Sequence, residues 1–194
     1  MRAGTEPPRV KTILKGKGLH TYHPIVSMTF VDPTRPSPIA RRNPSLVPAI
    51  VFTVVVLLIG GIIGGTNPPN EWYRALAKPA FNPPDWVFGP VWTILYAMVG
   101  FAGYRTWRLF GAASLPFGLW ALQMLLNFAW TPIFFSLNSL QWASIEIGVF
   151  LAAVIAYMVM IRDRDRTSFW LFTPYLAWVA FASVLTWTIW SMNS

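Results

Sequence analysis

Residues 46–65 read LVPAIVFTVVVLLIGGIIGG, twenty consecutive positions without a charge. At 1.5 Å of rise per residue, a helix of that length spans about 30 Å, the thickness of a bilayer's hydrocarbon core. Working outward, comparable apolar stretches recur near 87–107, 115–135, 142–161 and 169–190. Most of their connections are short, so neighbouring spans are expected to pack antiparallel. The predicted fold is all-α: an integral membrane bundle of five transmembrane helices. Composition agrees, with 55% hydrophobic, 16% aromatic and 11% charged residues, where soluble domains carry roughly 25% charged. At a mean hydropathy of +0.48, the chain is suited to lipid as its solvent.

The net charge of +8 could suggest a nucleic-acid partner, but its distribution points elsewhere. Eight of the fifteen Lys and Arg precede residue 43, and the others flank the apolar stretches. Basic residues so placed orient membrane proteins, and no nucleic-acid partner is expected. Counted on alternate ends of five spans, thirteen fall on one side; Arg74 and Lys78 are the two on the other. In a bacterial inner membrane this puts the N-terminus in the cytoplasm and the C-terminus outside.

The absence of cysteine excludes disulfides, thiolate catalysis and Cys-bound metal. The two histidines, His20 and His23, lie outside the apolar stretches, so no imidazole is available there as ligand or base. No catalytic group and no metal site are expected. Residues 1–44 form a basic, proline-containing tail that reads as disordered, with Met28 as an alternative start. Residues 45–194 then form the membrane domain.

Two features of the first span and its exit bear on function. Gly60, Gly61, Gly64 and Gly65 form overlapping Gly-xxx-Gly pairs, which either allow close helix contact or loosen the helix end. The connection at 66–86 is long for a helix–helix loop, and long loops are usually functional or disordered. Its details favour order: Asn70 is placed to cap a short helix, Glu71 suits the first turn, and Pro79 stops it. Trp72, Tyr73, Leu76, Phe81 and Trp86 give it an apolar underside, which reads as a lid over a cavity or as an interfacial anchor.

From Trp72 onward the chain resembles the TspO/MBR family of tryptophan-rich sensory and translocator proteins. The resemblance rests on Trp72-Tyr73-Arg74-Ala75-Leu76-Ala77-Lys78-Pro79 and on Pro83-Pro84-Asp85-Trp86-Val87-Phe88-Gly89-Pro90-Val91-Trp92. It continues through Leu95-Tyr96, Gly100, Gln123, Asn127, Trp130, Pro132, Phe134-Phe135 and Pro174-Tyr175-Leu176-Ala177-Trp178. It implies a five-helix bundle, often homodimeric, that binds porphyrins including haem, or other hydrophobic ligands. No obligatory cofactor is implied. Regulation of tetrapyrrole pathways and stress responses is the implied role, with ligand transport and light-dependent porphyrin breakdown as rivals.

Helical spacing and the resemblance together nominate the site. Gln123, Asn127, Trp130 and Phe134 share one face of the third span; the two amides are costly toward lipid and should point inward. They either join helices or touch ligand. Tyr175, Trp178 and Ala182 share a face of the fifth span, which lines the cavity in the family, and Trp92 and Tyr96 on the second span complete the ligand set. Trp92, Asn127 and Trp178 are expected to meet at one cavity. The lid set is Trp72, Tyr73, Leu76, Lys78, Pro79, Pro83, Pro84 and Trp86.

Glu146, the one carboxylate inside a span, is either functional or close enough to the end to snorkel to water. Two departures from the family matter. Thr186 follows Leu185 where asparagine is common, and residues 185–191 lack the tyrosine and base of a sterol motif. Sterol is therefore the lesser ligand expectation.

Overall fold

A computed structural model describes residues 46–194. The tail at 1–44, its expected disorder and the Met28 alternative lie outside the described residues. Helices α1 (Leu46–Thr66), α2 (Glu71–Ala75), α3 (Asp85–Phe110), α4 (Leu115–Phe135), α5 (Leu140–Ile161) and α6 (Arg166–Met192) follow in order. All but α2 are long and apolar enough to cross a membrane, and no strand occurs among the described residues. The expected all-α, five-span fold is what forms.

Polar side chains set the helix starts. Ser114, Ser139 and Asp165 each accept a hydrogen bond from a backbone N–H in the first turn of α4, α5 and α6. Such caps satisfy donors that a helix start leaves unpaired. Gly111 closes α3 at φ 88°, a conformation that suits residues without a Cβ. Asn70 caps α2 as expected, accepting from the Tyr73 N–H at 2.9 Å. However, α2 ends at Ala75 rather than at Pro79, because Leu76 already turns to extended backbone at ψ 142°.

Around the bundle, α3 packs chiefly on α1 and α6, while α5 packs on α4 and α6. Consecutive α3 and α4 touch less than their short connection suggested. Small residues bring α3 close to its partners. At Gly60 an added Cβ would lie 2.2 Å from the Tyr96 ring, and at Gly100 it would lie 2.7 Å from the Thr53 Cα. Gly103 likewise gives its space to Trp120, whose indole N–H donates to the Val99 carbonyl at 3.1 Å.

The outer face of α1 is apolar and uncovered, with Leu46 75% and Ile62 63% exposed, as a lipid-facing helix requires. Exposed Trp86 and Trp142 stand at one end of the bundle and Trp170 at the other, the placement of interfacial tryptophans. That end near Trp170 is tied by Arg105, whose guanidinium donates to Asp165 at 2.7 and 3.2 Å; Asp165 also accepts from the Ser168 hydroxyl at 2.5 Å. Beside it, the Thr106 and Tyr157 hydroxyls share a hydrogen bond of 2.6 Å.

Candidate ligand-binding site

Residues of α1, α3, α4 and α6, together with the 67–84 segment, enclose a cavity of about 390 Å³. Gly60, Gly61, Gly64 and Gly65 of α1 form one wall, and Leu185, Thr186 and Ile189 of α6 form part of another. Aromatic residues from α3 and α4 supply much of the remainder: Phe88, Trp92, Tyr96, Trp130, Phe134 and Phe135. Spacing of four residues places two rings one above the other on each helix. Trp92 stacks on Tyr96 at 5.2 Å and Trp130 on Phe134 at 5.0 Å. The buried Trp130 indole N–H has no hydrogen-bond partner among the described residues.

Behind Tyr96 runs a chain of hydrogen bonds. The Tyr96 hydroxyl donates to Asn127 at 2.8 Å, the Asn127 amide donates to the Tyr175 oxygen at 3.2 Å, and the Tyr175 hydroxyl donates to Gln123 at 2.8 Å. Gln123 then donates to the Trp120 carbonyl at 2.9 Å. The chain links α3, α4 and α6 and satisfies both amides in a dry interior. Through these contacts Gln123 and Asn127 join helices, and Tyr96 brings that network to the cavity wall.

Over the cavity, Asn67, Pro69 and Tyr73 contribute to the lining. The segment that carries them is tethered at several points. Asn70 donates to the Phe135 carbonyl at 2.8 Å and to Asn138 at 3.0 Å, and Ser136 donates to Asn67. Asn193, beyond α6, accepts from the Ala77 N–H at 3.0 Å and donates to the Ala77 carbonyl at 2.9 Å. Trp72 and Leu76 pack with Tyr73 against Phe134, and Phe81 meets Phe181 edge-on at 6.3 Å. The Lys78 ammonium stands 4.5 Å over the Tyr73 ring and donates to the Arg74 and Leu76 carbonyls. Burial pushes the Tyr73 phenol up; its bond to Asn82 offsets this in part and the Asp85 charge adds to it.

Of the residues nominated from sequence, Trp92, Tyr96, Trp130, Phe134 and Tyr73 line the cavity. Gln123, Asn127 and Tyr175 stand one or more hydrogen bonds behind Tyr96, so Trp92 and Asn127 are linked through that residue. Trp178 and Ala182 pack on the bundle core, with Trp178 edge-on to Phe88 at 5.9 Å, so they support the wall without facing the space. Lys78, Pro79, Pro83 and Pro84 shape the segment without lining the cavity. Trp86 is 74% exposed and so lies outside any apolar underside. Its place in the first turn of α3 turns it outward.

Glu146 does not snorkel: both carboxylate oxygens are buried and lack a hydrogen-bond partner among the described residues. Sequence reasoning missed the α1 glycines as cavity wall, together with Phe88, Thr186 and Ile189. Their usable signals were the cluster of small residues, which left two readings open, and the departure at Thr186. That residue is only 2% exposed and lies on the cavity wall.

The model of the TspO/MBR family matches residues 49–191. The translocator protein of Sus scrofa is 36% identical over 161 residues, which cover 77% of this chain and 92% of its own length. The tryptophan-rich protein TspO of Chlorobaculum tepidum is 32% identical over 151 residues, covering 74% of this chain and 95% of its own. Protein CrtK of Rhodobacter capsulatus is 32% identical over 142 residues, covering 72% and 89%.

Proposed function

Because this chain belongs to the TspO/MBR family, we propose that it is a membrane receptor that captures a flat tetrapyrrole, or a similar hydrophobic ligand, for a regulatory purpose. The observation that carries this reading is the pair of aromatic stacks, Trp92 with Tyr96 and Trp130 with Phe134, on the wall of one cavity. Faces of indole and phenol rings favour planar partners, offset-stacked or edge-on. The glycines of α1 leave a flat wall against which a planar molecule can lie.

The tethered 67–84 segment serves as the lid in this reading, with Tyr73 as its contact to the ligand. In a bacterial inner membrane, the distribution of thirteen basic residues against two supports a cytoplasmic N-terminus and a lid on the opposite side. A homodimer completes the proposal on the strength of the family resemblance.

Among the described residues the cavity lining contains no His, Cys or Met, and its two phenols are engaged elsewhere, Tyr96 with Asn127 and Tyr73 with Asn82. Binding should therefore depend on shape and stacking rather than on axial ligation of a central metal. In protein embedded in zwitterionic nanodiscs, quenching of tryptophan fluorescence should give comparable affinities for free-base and iron porphyrin. Saturable binding of the iron form alone would count against this reading.

A further inference from the structure

Among the described residues that line the cavity, Asp85 alone carries a formal charge. The nearest cations in sequence belong to the lid and do not reach the space. Arg74 is exposed on α2, and Lys78 is held by two carbonyls and the Tyr73 ring. Pro84 caps α3 without a side-chain bond, and no hydrogen bond or ion pair engages Asp85 among the described residues. Its field also reaches the roof of the cavity, where it raises the cost of ionising the Tyr73 phenol. The positive end of α3 offsets part of the charge, being equivalent to about half an elementary charge. About half of the Asp85 charge is left at the lining itself.

We infer that Asp85 is a specificity-determining residue that makes the cavity select flat aromatic ligands with neutral or cationic edges over those with carboxylates. A ligand held among Trp92, Tyr96 and Trp130 would present its rim at the mouth where Asp85 stands. There an ester, an amide or an ammonium group is accepted, while an acid meets a like charge. This inference rests on the tetrapyrrole reading for its ligand class, but the charge preference does not depend on which planar ring is bound.

The test titrates two probes, protoporphyrin IX and its dimethyl ester, against wild-type protein, Asp85→Asn and Asp163→Asn in zwitterionic nanodiscs at low salt. The quantity read is the ratio of the diacid's Kd to the ester's, compared between proteins, so that the probes' different partition into lipid cancels. Asp163 is an exposed acid at the far end of the bundle and serves as the control.

The ratio should fall ~5-fold in Asp85→Asn, the size expected for unit like charges a few ångströms apart in water. It should hold in Asp163→Asn. The wild-type ratio should also shrink as salt rises. An Asp85→Asn ratio equal to wild type overturns the inference even if both porphyrins bind well. If neither porphyrin binds, the tetrapyrrole reading is the one that fails. The same variants then decide the charge preference with a planar acridine cation against an anthracene carboxylate. Loss of cation preference in Asp85→Asn supports the inference, and its persistence refutes it.

Discussion

Gly100→Ala should destabilise the protein by about 3 kcal/mol, at the upper end of the cost of overpacking a filled interior. The added methyl would stand 2.7 Å from the Cα of Thr53 and 3.3 Å from the Phe52 carbonyl oxygen, both backbone atoms of α1. A side chain can rotate away from such a clash, whereas a helix backbone can relieve it only by separating from α3. Because α1 and α3 form the most extensive helix pair in the bundle, that separation also loosens the wall of the cavity. Gly64→Ala is the matched comparison, since its Cβ meets nothing within 4 Å. It should be neutral or stabilising by up to ~1 kcal/mol through helix propensity. Equilibrium unfolding in mixed detergent distinguishes the two, and equal stability for both variants would refute the close α1–α3 contact.

Asp165→Ala should cost about 2–4 kcal/mol. One carboxylate there receives the Arg105 guanidinium, the Ser168 hydroxyl and the Ser168 N–H that begins α6. Removing one partner of a buried pair typically costs 3–5 kcal/mol, and the range is lowered here because the Arg105 side chain is 31% exposed. Asp165→Asn should cost less, because an amide oxygen can still accept the Ser168 N–H and keep the cap. Thermal unfolding in detergent should therefore rank wild type above Asp165→Asn and Asp165→Ala last. An Ala variant as stable as wild type would mean that α3 and α6 are not held together at this end.

The fold was legible because apolar length and the punctuation between spans point the same way. For α4, Ser114 at the start and Ser136 at the end bound the apolar run, and the helix forms over Leu115–Phe135 as read. For α6 the expected start at Phe169 came three residues late. The Asp165 cap extends the helix into polar sequence that hydropathy alone cannot see.

The site was legible where helical spacing and cavity coincide. Trp92 with Tyr96 and Trp130 with Phe134 are each four residues apart, and both pairs line the space. Trp178 and Ala182 show the limit of that reasoning. They share a helical face with Leu185 and Ile189, yet spacing cannot tell that Phe88 intervenes before Trp178. The α1 glycines carry no side chain to give a periodic signal. Only the neighbours reveal that Gly60 is packed against Tyr96 while Gly61, Gly64 and Gly65 are open.

The claim that one aromatic cavity receives a planar ligand is tested most directly by titrating free-base porphyrin into Trp92→Phe, Trp130→Phe and Trp170→Phe proteins and following the quenching of the remaining tryptophans. Trp92 and Trp130 line the cavity, whereas Trp170 is 66% exposed at the opposite end of the bundle. Replacing an indole by a smaller ring keeps part of the stacking, so the first two variants should each bind about fivefold more weakly, corresponding to ~1 kcal/mol. Trp170→Phe should bind as wild type does. If Trp170→Phe weakened binding as much as the other two, or if neither Trp92→Phe nor Trp130→Phe weakened it, the ligand would lie elsewhere and the account would be contradicted.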